Sequence, residues 1–159
     1  LFGVVAALRP EKNLSVFIRA AAEYQQRDPA ARFVIVGDGP ERARLEAEAV
    51  ALNTRIAFLG SRPDVDRLLP ALDVFTLTSK MEASPVSILE AAACGVPVVA
   101  TNVCVAEILP DHLRAQPEVA LELLPAEVEP AVAKADRLVH ALLVELEGER
   151  RRARDDRRN

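Results

Sequence analysis

DVFTLTSKMEASPVSILEAAACGVPVVAT, residues 73–101, carries a complete strand–helix–strand unit. Asp73 to Thr78 is a short apolar run with strand character. Ser84 is a good helix N-cap, and Pro85 suits the first helical position. Pro85 to Cys94 reads as a helix. Gly95 can close it in the left-handed conformation, and Pro97 keeps it from continuing. Pro97 to Thr101 is again strand-like. Strands this short and this apolar are expected where helices bury both faces of a parallel sheet.

The same alternation extends upstream. Leu1 to Ala7 is an apolar run. From Glu11 to Gln26 the period changes, with Leu14, Phe17, Ile18, Ala21 and Tyr24 or Gln25 at helical spacing, and Pro29 ends that region. Arg32 to Val36 is strand-like and runs into a Gly37-Asp-Gly39-Pro turn. Glu41 to Leu52 is helical, Arg55 to Leu59 a strand, and Asp64 to Ala71 a short helix. Five strand-then-helix units imply an α/β, Rossmann-like parallel sheet with helices on both faces. Ligands of such sheets sit outside the carboxyl ends of the strands, so the loops after Ala7, Val36, Leu59, Thr78 and Thr101 are the ones to inspect.

Downstream the pattern weakens. Val103 to Leu109 reads as a short helix. Pro110, Pro117, Pro125 and Pro130 break the next stretch. Ala131 to Glu147 is amphipathic, with Val132, Ala135, Leu138, Val139, Leu142 and Leu146 on one side. This divides the chain into a ligand-binding domain (1–109), a divergent helical segment (110–147) and a basic, disordered tail (148–159).

At 159 residues, half of them hydrophobic and 28% charged, the chain has the composition of one ordinary globular domain. Its net charge of −4 argues against nucleic-acid binding by bulk electrostatics. No apolar run is long enough for a spanning helix, and no signal peptide is visible. The chain begins inside an apolar run and reads as a piece of something longer. Cys94 and Cys104 cannot build a disulfide framework or a zinc site alone, and Cys94 reads as a small buried residue. His112 and His140 have no ligand cluster near them in sequence.

The loop chemistry is most specific in the quoted segment. The first-turn amides of its helix, at Val86 and Ser87, have no intrahelical partners, and they sit where a strand delivers the chain to the ligand edge. Such a site favours anions. Two carboxylates bracket it, Glu82 before the helix and Glu90 within it. Carboxylates accept well from the hydroxyls of a vicinal diol. From spacing alone, a solvated loop Glu82 and an exposed helix Glu90 is the plainer reading.

Glu82-Ala-Ser-Pro-Val-Ser-Ile-Leu-Glu90, followed by AAACGVPVVAT, closely resembles the E-x7-E segment of retaining GT-B glycosyltransferases, glycosyltransferase family four. Ala7-Leu-Arg9-Pro-Glu-Lys12-Asn-Leu resembles the family's first loop, Phe33-Val-Ile-Val-Gly37-Asp-Gly39-Pro its second, and Phe58-Leu-Gly60-Ser-Arg62-Pro-Asp-Val its base-side loop. The four segments stand in family order over about Leu1 to Thr101.

The resemblance implies the C-terminal, donor-binding half of a GT-B fold. An N-terminal domain would supply the acceptor site. By position, Glu90 would hold ribose hydroxyls, Glu82 would contact the donor sugar, and Lys12 would neutralise the departing diphosphate. Ser84 and the amides of Val86 and Ser87 would face that diphosphate. Gly37 and Gly39 would let the backbone approach the donor, with Gly60, Ser61 and Arg62 near the base. The implied reaction is glycosyl transfer, with retention and without a metal or resident cofactor, from a UDP- or GDP-linked sugar to a hydroxyl of a saccharide or lipid acceptor. The implied setting is the cytoplasm or the inner face of its membrane.

The chain departs from the family at Ala6 and Ala7, where Gly and Arg are usual, and Arg9 is the candidate substitute cation. It departs again at Val103-Cys104-Val105, where a Gly-Gly turn is usual. These departures keep an alternative open, a non-catalytic module that binds a nucleotide sugar or a protein partner. An NAD-binding domain fits poorly, because the first turn has no G-x-G-x-x-G.

Overall fold

The computed structural model describes residues 1–82, 86–101, 119–121 and 129–155. They form a six-stranded sheet in the order β3-β2-β1-β4-β5-β6. The strands are β1 (Phe2–Val5), β2 (Phe33–Val36), β3 (Ile56–Phe58), β4 (Val74–Leu77), β5 (Val98–Thr101) and β6 (Val119–Leu121). The first five are parallel, and β6 pairs antiparallel to β5, with Thr101 opposite Val119. The chain order reverses direction between β1 and β4, so the loops after these two strands lie side by side.

Strand residues alternate between the two faces, as a pleated strand requires. Phe2, Val4, Phe33, Ile35, Val74 and Val99 belong to one core, together with α1 (Leu14–Arg27), α2 (Arg42–Ala51) and α5 (Glu129–Asp155). Val34, Val36, Phe75, Leu77, Val98 and Ala100 belong to the other, under α3 (Val65–Leu68), the 3-10 turn directly after it, and α4 (Val86–Ala93). Near β2 and β3 the second face keeps an apolar groove of about 470 Å³, lined by Val34, Val36, Ala57, Leu59 and Leu72 among others. The first core is centred on rings: Phe2 stacks on Phe33 at 4.8 Å, and Tyr24 and Phe17 meet these two edge-on.

The expected helical stripe of α1 is buried throughout, from Leu14 to Tyr24. Val16 and Ala20, off that stripe, are buried as well, because α5 packs along α1. The predicted helix start at Glu11 is corrected to Leu14. Pro10–Lys12 form a 3-10 turn, and Asn13 separates turn from helix at φ 49°. Asn tolerates this left-handed geometry better than most residues.

Three further expectations differ from the structure. The amphipathic helix expected at Ala131–Glu147 is present as α5, with Ala135, Leu138, Ala141 and Leu142 buried in the same core as β1 and α1, but the segment before it, expected without a strand, contributes β6. The tail expected to be disordered is helical through Asp155, since its Arg- and Glu-rich sequence has good helix propensity and i,i+4 pairs such as Glu147–Arg151. Cys94 is exposed, not buried, because it stands at the open C-terminal end of α4 just before Gly95, φ +70°. The short helix expected at Val103–Leu109, the Val103–Val105 turn, Cys104, His112 and Ser84 lie outside the described residues. His140 is exposed.

Candidate functional site at the carboxyl ends of β1 and β4

The loop after β1 is built on backbone contacts with the loop after β2. Ala6 N–H donates to the Val36 carbonyl, Leu8 N–H to that of Asp38, and Glu41 N–H returns to that of Leu8, at 2.9–3.0 Å. This packing explains two of the candidate glycines. A Cβ at Gly37, where φ is +135°, would fall 1.9 Å from the Ala6 carbonyl oxygen, and one at Gly39 would fall 2.5 Å from that of Leu8. Both positions need glycine to let one loop reach the other.

The first loop then presents Lys12 at the end of its 3-10 turn. The segment after β4 fastens this turn from the other side. Thr78 Oγ1 donates to the Lys12 carbonyl at 3.1 Å, and Lys80 N–H to the Glu11 carbonyl at 2.8 Å. The result brings two of the predicted residues together across 70 positions of sequence. Lys12 Nζ donates to Glu82 Oε1 at 2.5 Å, with side chains 20% and 9% exposed. Ser79 Oγ donates to the same oxygen at 2.6 Å. Sequence reasoning misses Ser79, Thr78 and Thr101. Their only signal there is weak: hydroxyl residues at the ends of two adjacent parallel strands.

Val86 and Ser87 open α4, eight residues long, at the same edge of the sheet. Val86 is exposed and Ser87 half-buried, and their amides lie in the helix's unpartnered first turn. Glu90 is exposed on this helix, without an ion pair among the described residues. The site thus offers one lysine, one buried carboxylate, one exposed carboxylate and a helix N-terminus. That set can hold a diphosphate by its positive elements and hydroxyl groups by its carboxylates.

The remaining predicted residues stand differently. Gly60, φ +69°, bridges to Gly37, whose N–H donates to its carbonyl at 2.7 Å, so the third loop joins the first two. Arg62 is spanned by Asp64 in a two-pronged ion pair of 2.7 and 2.8 Å, which raises the guanidinium pKa and lowers that of the carboxyl. Arg9 is exposed. It lines a polar cleft of about 240 Å³ with Arg19, Glu41, Arg44, Lys80 and Glu149, a cleft that Lys12, Glu82 and Glu90 do not line. Arg9 therefore opens on a different cleft from the Lys12–Glu82 pair. Among the described residues no three His, Cys, Asp or Glu side chains gather as a metal site. No helix among them is long and apolar enough to cross a membrane.

The sequence profile of the family described as "Glycosyl transferases group 1" matches residues 1–143. Over 108 residues, 65% of this chain and 28% of the relative, the sequence is 37% identical to the UDP-Gal:alpha-D-GlcNAc-diphosphoundecaprenol alpha-1,3-galactosyltransferase of Escherichia coli. It is 43% identical over 93 residues to a Vi polysaccharide biosynthesis protein of Salmonella typhi, 57% of this chain and 16% of that one. Among solved structures, Anabaena HepE in complex with UDP and glucose superposes with a TM-score of 0.65 and 27% identity, over 92% of this chain and 43% of that one. Staphylococcus aureus TarM superposes with a TM-score of 0.70 and 18% identity, over 91% of this chain and 29% of TarM, and shows the same fold. The chain spans less than a third of the length of these two curated relatives.

Proposed function

Because the chain belongs to the group 1 glycosyltransferases, we propose that it is the donor-binding half of such an enzyme, with its nucleotide-sugar site at the carboxyl ends of β1 and β4. The observation that carries this reading is the pairing of Lys12 with Glu82, which precedes α4 by a few residues in the loop after β4. Breaking a sugar–phosphate bond builds negative charge on the leaving diphosphate and positive charge at the sugar carbon. Lys12 and the amides of Val86 and Ser87 supply fixed positive charge for the first. Glu82 contacts the sugar, and Glu90 accepts from the ribose hydroxyls. The transfer goes with retention to an acceptor hydroxyl, with no metal, since a lysine and a helix N-terminus stand where a metal would otherwise neutralise the diphosphate.

Uridine is the favoured base, because the E. coli relative is named for a UDP-sugar donor and the HepE structure holds UDP. A lipid-linked saccharide is the favoured acceptor class, after the diphosphoundecaprenol of the same relative's name. An N-terminal domain completes the acceptor side, and the enzyme works in the cytoplasm or at the membrane's inner face.

Calorimetric titration with UDP, GDP and ADP, without metal, tests the site. Saturable binding of one nucleotide is expected, weakened about tenfold or more by Lys12→Ala and by Glu90→Ala, as for loss of a charge-assisted hydrogen bond. A folded chain that binds none of the three would sink the donor-site reading and leave the interaction module.

A further inference from the structure

Ser79 is 1% exposed at the carboxyl end of β4. Its hydroxyl donates to Glu82 Oε1 at 2.6 Å, and its carbonyl accepts from Thr101 Oγ1 at 2.6 Å. Its neighbours Thr78 and Lys80 are both tied to the backbone of the lysine loop. The main chain at Ser79 is thus held from β5 on one side and from the first loop on the other. Its hydroxyl has a fixed origin and reaches the same carboxylate oxygen as Lys12.

That sharing has a consequence for ligand binding. Glu82 has two donors on Oε1. A diphosphate draws Lys12 away, and a carboxylate whose side chain is only 9% exposed then loses its charge partner. We infer that Ser79 is a positioning residue of the donor site, which holds the Glu82 carboxylate in place while Lys12 transfers from Glu82 to the diphosphate. A hydroxyl suits this task because it is neutral. It stabilises the carboxylate without offering the diphosphate a competing cation near the sugar. It also matters more once Lys12 has turned to the diphosphate, since Ser79 is then the donor left on Glu82 Oε1. The inference rests on the donor-site reading given above.

The test is a double-mutant cycle on nucleotide affinity, read by calorimetry with UDP on the chain as it stands. Ser79→Ala, and the near-isosteric weak donor Ser79→Cys, are each made with Glu82 and with Glu82→Gln. With Glu82 present, either change is expected to weaken UDP binding about tenfold, the scale of a hydrogen bond to a charged group. In the Glu82→Gln background the same changes should leave affinity within about twofold, because a neutral amide does not need charge compensation when Lys12 leaves. A purely structural role for Ser79 would weaken binding equally in both backgrounds, and that result would overturn the inference. So would an unchanged affinity in Ser79→Ala with Glu82 present. Thermal unfolding of each variant identifies any that fail to fold, and the cysteine variant keeps the cycle readable if the alanine one does. If UDP does not bind, the cycle is read with whichever of GDP or ADP does; absence of binding of all three by the folded parent chain would instead overturn the donor-site reading, and this inference with it.

Discussion

The carbonyl oxygen of Ala6 occupies the place where a side chain at Gly37 would begin, 1.9 Å from its Cβ position. The contact locks the loop after β2 against the loop after β1, which carries Lys12 six residues further on. Gly37→Ala combines a left-handed φ with a backbone clash. It should destabilise the chain by about 3 kcal/mol or more. Denaturant unfolding checks this. A loss under about 1 kcal/mol would mean that the two loops can part without consequence.

Arg19 joins three helices. From α1 it reaches Glu145 at 2.7 Å and Glu149 at 2.8 Å on α5, and Glu48 on α2 at 3.3 Å. Burial acts to lower its pKa, yet the carboxylates outweigh this and raise it. Arg19→Ala leaves three carboxylates facing one another and should cost about 2–4 kcal/mol, partly recovered in high salt. Arg19→Lys keeps the charge and loses the fork, so it should cost less than half as much. Equal losses in the two variants would show that packing, rather than ion pairing, holds the helices.

Leu138 on α5 is fully buried in the core that also contains Phe2 and Val4 of β1. If α5 belongs to the same cooperative unit as the sheet, Leu138→Ala should lower global stability by about 2–5 kcal/mol in one transition. A second, separate transition in the variant would place α5 in an independent unit.

Much of this architecture is legible in the sequence, because the signals concerned are local. The apolar run at Val98–Thr101 and the Leu14–Phe17–Ile18–Ala21 spacing each report burial within one element, and a parallel sheet follows from their alternation. Glu82, Glu90 and Lys12 are marked by short motifs read beside a family resemblance. The limits of the helices are less legible. Nothing about Asn13 announces a left-handed residue that divides turn from helix, and nothing in the Arg-rich end announces that its helix persists to Asp155.

The sequence by itself determined the class of fold, the order of the first five strands along the chain, and which polar groups follow the strands at the carboxyl edge of the sheet. Only the tertiary structure decided which of those groups meet. Lys12 and Glu82 are paired because β1 and β4 are neighbours in the sheet, an adjacency set by long-range packing that no local window contains. The same adjacency recruits Thr78, Ser79 and Thr101, whose hydroxyls are unremarkable in sequence. They acquire partners only because neighbouring strand ends bring Thr78 to the lysine loop, Ser79 to the Glu82 carboxylate and Thr101 to the Ser79 carbonyl. The physical reason is general: burial periodicity is written residue by residue, whereas hydrogen bonds short enough to matter depend on where separate elements come to rest.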